Sequence, residues 1–212
     1  MILFLALLLV PILPANSAEP EFAQVDASAD EIASSEYRRL AEEMDRLAKR
    51  NAWAGVERTY QKMLETGVTP DFDDLKTAAH AAQARGDIGE ARTRLARAST
   101  IREEKEVLDW LWAIDSNYGP VLLAGNPGEV ALAPKVMPFD PVQARAVQFA
   151  VAQVAETGTF EGLLPKGDYT FGDSDGKGQS MEIDVGSSMR KVDLRNDGGV
   201  RKSERKKKKK KE

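Results

Sequence analysis

The apolar pattern between residues 36 and 100 repeats itself after 35 residues, and that internal repetition limits what the chain can fold into more than any other feature. Leu40 is matched by Leu75, the Arg50-Asn51 pair by Arg85-Gly86, Val56 by Ala91, Tyr60 by Leu95 and Met63 by Ala98. Within the first unit the apolar residues fall at helical spacing: Tyr37, Leu40, Met44 and Leu47 over 36–50, then Trp53, Val56, Tyr60, Met63 and Leu64 over 52–66. Gly67 follows as a helix stop. One amphipathic helix cannot hide its own stripe, whereas a hairpin of two can, and a second hairpin stacked on the first extends the same interior. The spacing therefore predicts two helical hairpins in register.

Ala78-Ala79 and Ala82, then Gly86-Asp87-Ile88-Gly89-Glu90-Ala91, Leu95 and Ala98, follow the order of the tetratricopeptide family, which this second unit resembles. Small residues in that family stand where paired helices approach closely. The first unit departs from the pattern, with Glu43 and Met44 in small-residue positions. A further 35 residues beyond Leu75 lies Trp110, with Leu108, Leu111 and Ile114 around it, and Gly119-Pro120 stops that helix before a partner begins. It reads as a capping helix, the lid that a terminal repeat needs. The resemblance implies a groove for a protein or peptide partner, and Tyr37, His80 and Trp112 are the candidate partner-contacting side chains. Trp53 and Trp110 occupy apolar helical positions and are expected to pack in the core, while Trp112 lies one face away. Residues 60–71 also resemble a pentatricopeptide unit, a family that reads RNA one base per repeat. Only two repeats, and the export signal described below, argue against nucleic acid as a partner.

From Tyr118 onward the pattern changes to short β-type segments bounded by Gly, Pro, Asn or Asp: 121–123, 130–132, 169–171, 181–185 and 191–194. One helix interrupts them over 140–157, opened by Asp140-Pro141-Val142-Gln143 and closed by Gly158. Gly162-Leu163-Leu164-Pro165-Lys166-Gly167-Asp168-Tyr169 resembles a turn of carboxypeptidase-regulatory-like and transthyretin-like β-sandwich modules. In such a turn Pro sets φ, Gly takes a conformation that a side chain opposes, and the Tyr hydroxyl reaches backbone. The expected fold class is α+β: tetratricopeptide-like hairpins with a capping helix over 36–117, then a small β-sandwich-like module with one inserted helix over 118–197.

The two ends differ in character. Residues 1–18 run apolar from Met1 to Val10, then carry Pro11 and Pro14 and end in small residues at Ala18, the layout of a cleaved secretory signal peptide rather than of a span. The mature chain is accordingly expected in the periplasm or cell envelope with no transmembrane span, and residues 19–35 read as a disordered linker. The net charge of −4 hides an asymmetry. Arg201, Lys202, Arg205, Lys206, Lys207, Lys208, Lys209, Lys210 and Lys211 face only Glu204 and Glu212, so the tail is basic and the body acidic. Residues 198–212 contain too little apolar surface to fold and are expected to be disordered, with those nine cations available to an anionic envelope surface.

Catalytic signatures are sparse. There is no cysteine, which removes disulfides and thiol chemistry, and His80 is the one histidine, lying among Ala78, Ala79, Ala81 and Ala82. No nucleophile elbow or phosphate-cradling glycine loop occurs. Gly172–Gly178 partly resembles a calcium loop, but Lys177 stands at a ligand position, so a hairpin turn is the expectation. No catalytic residue, cofactor or metal is assigned. The residues point to an exported interaction or scaffold protein rather than an enzyme, the alternative being an envelope adhesion or carbohydrate-binding module carried by the β part.

Overall fold

The computed structural model describes residues 22–173, 178–186 and 188–195. Five helices come first: α1 (Phe22–Ala48), α2 (Trp53–Glu65), α3 (Phe72–Arg85), α4 (Ile88–Ile101) and α5 (Lys105–Asn117). Strands β1 (Tyr118–Ala124) and β2 (Val130–Pro134) follow, then α6 (Pro141–Thr157), β3 (Thr159–Pro165), β4 (Gly167–Asp173), β5 (Gly178–Ile183) and β6 (Arg190–Asp193). The fold is α+β, with two small sheets, and no helix among the described residues is long and apolar enough to cross a membrane.

The 35-residue repetition is written into the backbone. Ala52 N–H bonds Leu47 O at 3.0 Å, and Asp87 N–H bonds Ala82 O at 2.9 Å; Asn51 N–H bonds Ala48 O at 2.9 Å, and Gly86 N–H bonds Gln83 O at 3.0 Å. These are one helix-stop geometry used twice, with Asn51 and Gly86 both left-handed at φ 54° and 93°. The matched side chains Leu40 and Leu75, Val56 and Ala91, Tyr60 and Leu95, and Met63 and Ala98 are all buried, all but Ala91 in one core cluster. Each helix packs on the next, and α1 also reaches α3.

Charged side chains also reach that interior, and Arg94 is the most deeply buried of them. Arg94, 1% exposed, sends Nη1 and Nη2 to the two oxygens of Glu57 on α2, each at 2.7 Å, and Nη1 also to Ala78 O on α3 at 2.8 Å. Its Nε bonds Glu90 at 2.9 Å, and the guanidinium lies 4.4 Å over the Tyr60 ring. Three helices are thus tied at one point.

The expected linker over 19–35 is corrected in part, because α1 already begins at Phe22. Phe22–Ser35 has no Gly or Pro and several alanines, so nothing breaks the helix that Glu36–Ala48 anchors, although residues 29–35 are turned mostly to solvent, with Ile32 68% exposed. The expected signal peptide over 1–18 and the lysine-rich tail over 198–212 lie outside the described residues.

Each of the five expected β segments overlaps a strand, three of them wholly, while Asp184, Val185 and Leu194 fall beyond the ends of β5 and β6; a sixth strand, β3, takes in the first part of the stretch read as a turn. One sheet has the order β3-β1-β6, β1 antiparallel to β3 and parallel to β6; the other has the order β2-β4-β5, antiparallel throughout. The Pro165-Lys166-Gly167 turn carries the chain from one sheet to the other. Gly167 sits at φ 149°, and the buried Tyr169 hydroxyl donates to Pro165 O at 2.9 Å, as the motif suggested. Asp140 caps α6 by accepting from Val142 and Gln143 N–H, both at 2.9 Å. Val147, Ala150 and Val154 of α6 share a core with Val121, Leu164, Phe171 and Met181, while Ala146 joins the helical core. This helix therefore fastens the two parts together. β4 and β5 pair antiparallel up to Gly172 and Gly178, and residues 174–177 of the segment that partly resembles a calcium loop lie outside the described residues.

Candidate partner-binding face

Helix α3 is placed by Asp71, whose side chain accepts from Asp74 N–H at 2.9 Å, and by Gly86 at its end. Its inward face is Leu75, Ala78, Ala79 and Ala82, which leaves Lys76 and His80, one turn apart, on the outward side. Helix α5 presents Glu106 and Trp110 at the same separation, and α2 opens with Trp53. The tertiary packing brings these together. The His80 imidazole lies between two indoles, its centroid 4.4 Å from Trp110 at a 40° tilt and 6.3 Å from Trp53 at 28°. Below it Lys76 Nζ joins Glu104 at 2.7 Å and Glu106 at 2.6 Å.

The electrostatics of this row favour a neutral imidazole. His80 is exposed as a residue, yet its ring is flanked by indoles, and this burial pushes its pKa below 6.5; the Glu106 charge opposes the shift and Lys76 adds to it. Lys76 is held charged, raised by its hydrogen bonds to Glu104 and Glu106. A neutral ring can donate from one nitrogen and accept at the other, while its neighbours offer half-buried apolar faces. The row thus sets a hydrogen-bond donor and acceptor beside apolar ring faces, with a charged cluster next to them.

In comparisons with protein-family models, with curated proteins and with solved structures, nothing matches this chain.

Of the three residues singled out from the sequence, His80 alone stands in the row. Trp112 is 73% exposed on α5, beside Leu108 one turn earlier, and two residues from Trp110 is about 200° around the helix, so it faces away from His80. Tyr37 as a contact residue is corrected: it is buried, its hydroxyl donating to Asp74 and accepting from Asp71 N–H at 3.1 Å. Burial pushes the Asp74 carboxyl above its ordinary 3.8, with the Tyr37 hydrogen bond opposing. Tyr37→Phe removes that donor and is expected to cost about 1–3 kcal/mol at neutral pH in denaturant unfolding. Because the folded-state value of Asp74 is raised, the cost shrinks as pH falls through it and the carboxyl takes up a proton. The cations from Arg201 to Lys211 lie outside the described residues.

Trp53 and Trp110, expected in the core, do pack against it, but as half-buried rings that also build the row. No spacing announces this, since the three residues come from three helices and from unrelated positions of the repeat. Elsewhere an open cleft of about 420 Å³ is lined by Asp87, Phe149, Gln153, Glu156 and Glu161 between α6, β3 and the start of α4. Among the described residues no buried side-chain polar atom lacks a partner, and no three candidate ligands are placed to hold a metal ion.

Proposed function

We propose that this is an exported interaction or scaffold protein of the periplasm or cell envelope. Its tetratricopeptide-like helices grip a protein or peptide partner along the Trp53–His80–Trp110 row, and the chain works by binding rather than catalysis. The observation that carries the reading is the row itself. Three aromatic rings from α2, α3 and α5 meet in a row, the imidazole exposed and the two indoles only partly buried where they pack on the core, with an ion cluster alongside. Aromatic side chains held half-buried by a rigid scaffold present large contact area at little ordering cost, the property that interface anchors share.

The test is photocrosslinking in cells that produce the protein, with benzoylphenylalanine placed at His80 or, as control, at the exposed Arg97 of α4. The expected outcome is one discrete adduct from position 80, none from position 97, and loss of that adduct on Trp110→Ala while folding by circular dichroism is retained. Equal adducts from both positions, or none from position 80, would overturn the proposal.

A further inference from the structure

Between β2 and α6 the chain runs Lys135-Val136-Met137-Pro138-Phe139-Asp140 without regular structure, and its apolar side chains point into solvent. Phe139 is 100% exposed, Val136 71% and Met137 43%. Two ordinary explanations fail. A hydrophobic residue just before a helix cap commonly packs on the fourth helical residue as a staple, but a fully exposed Phe139 cannot be stapled to Ala144. Nor does any of the three belong to either core cluster.

Size and shape narrow the occupant. Three side chains on a projecting loop fall far short of the roughly 1,000 Å² that a specific protein interface needs. A bilayer needs no matching surface: apolar groups a few residues long gain by entering its interface, and cations beside them meet the headgroup phosphates. Lys135 supplies such a cation at the loop's start, its backbone N–H fixed to Asp168 O at 2.8 Å and its exposed ammonium paired with Asp168 at 3.4 Å, a partner it would exchange for lipid phosphate, while Asp140 at the loop's end turns its carboxylate to the Val142 and Gln143 N–H groups. Lys166 follows at the same end of the module, where its N–H bonds Asn117 O at 3.0 Å. β6 leaves the module at the opposite end, with Leu194 N–H on Ala124 O, so the loop and the basic tail that follows β6 start from different ends.

We propose that the loop Val136–Phe139 is a membrane-interface tip, inserting Val136, Met137 and Phe139 between the lipid headgroups and upper acyl chains while Lys135 stays at phosphate level. It uses an element separate from the aromatic row, so either reading can fail without the other. The absence of native cysteine makes a local test direct. Phe139→Cys, Trp112→Cys and Ile32→Cys are made in the full chain and labelled with a polarity-sensitive dye. None of these exposed sites contributes to the core, so folding is retained. Vesicles of phosphatidylcholine with phosphatidylglycerol are then added. Emission at position 139 is expected to move to shorter wavelength and to be quenched by lipids spin-labelled roughly 5–10 Å below the headgroups, with positions 112 and 32 unchanged. Because the dye reports its own surroundings, attachment of the chain by either terminus does not imitate this result. No shift at 139 in the presence of vesicles, an equal shift at 112, or a shift at 139 that depends on protein concentration without lipid, which would mean a protein contact, each overturns the proposal.

Discussion

Arg94→Ala is expected to lower the unfolding free energy by about 3–5 kcal/mol in urea titration. The size follows from what is left behind. Arg94 is the two-pronged partner of Glu57, and without it the carboxylate keeps only Gln61 at 2.9 Å and the more distant Arg85 at 3.6 Å. The Ala78 carbonyl loses its donor and the Tyr60 ring its cation. Arg94→Lys should recover little, because an ammonium cannot span both Glu57 oxygens and Ala78 O in one plane. Replacing both charges, as Arg94→Met with Glu57→Met, should restore most of the stability, since the penalty comes from an orphaned buried charge rather than from a missing attraction.

The same pair sets an acid dependence whose sign can be checked. Burial pushes Glu57 upward, but the hydrogen bonds from Arg94 and Gln61, with the charges of Arg94 and Arg85, bring it in sum below its ordinary 4.5. A depressed folded-state value contributes stability that is present above 4.5 and lost as pH falls through the folded value. In Arg94→Met burial has lost its main opponent, so Glu57 moves above 4.5 and its contribution changes sign: this variant becomes relatively more stable as pH falls through that raised value. Urea midpoints of the two proteins across the acid range should therefore converge. Midpoints that fall in parallel would show that Arg94 does not govern Glu57.

What could be read from the sequence divides along a physical line. Features governed by neighbours in the chain were legible: helix stripes, the Asp140-Pro141 opening of α6, and the Gly167-to-Tyr169 turn with its hydroxyl bond. The repeat was legible because one geometry is used twice, so each unit vouches for the other. Features governed by meetings between distant segments were not. Glu57 and Arg94 look like surface charges on two amphipathic helices until α2 and α4 are packed on α3. β3 was hidden because its alternation is weak, with Gly162 in its middle, and its strand character comes from pairing with β1. The parallel β1–β6 pairing joins segments about as far apart as this module allows, and no local signal encodes it. The aromatic row falls in the same class: His80 stands out in the sequence as a lone histidine, whereas helical periodicity accounts for Trp53 and Trp110 as packing and leaves no trace of their meeting with it.

The helix stops of the two repeats supply the other large effect, because the same backbone position is filled differently and surrounded differently. At the first stop Asn51 holds φ 54° on an exposed turn, a conformation asparagine tolerates better than most residues. At the second, Gly86 holds φ 93° with α6 lying directly over it. A Cβ there would stand 2.5 Å from the Arg145 carbonyl oxygen and 2.8 Å from the Phe149 Cβ, closer than atoms can approach. Exchanging the residues separates backbone preference from crowding. Asn51→Gly should change stability by less than about 1 kcal/mol, since glycine accepts the same φ. Gly86→Asn should cost about 2–5 kcal/mol, combining the left-handed penalty with the overpacking of α6. Crowding also predicts where the damage appears: hydrogen exchange at the amides of residues 145–149 should quicken as α6 is lifted, while the turn at 51 is undisturbed. If Gly86→Asn cost no more than a fraction of a kcal/mol, α6 could not be resting on that turn, and the joint between the helical array and the β module would lie elsewhere.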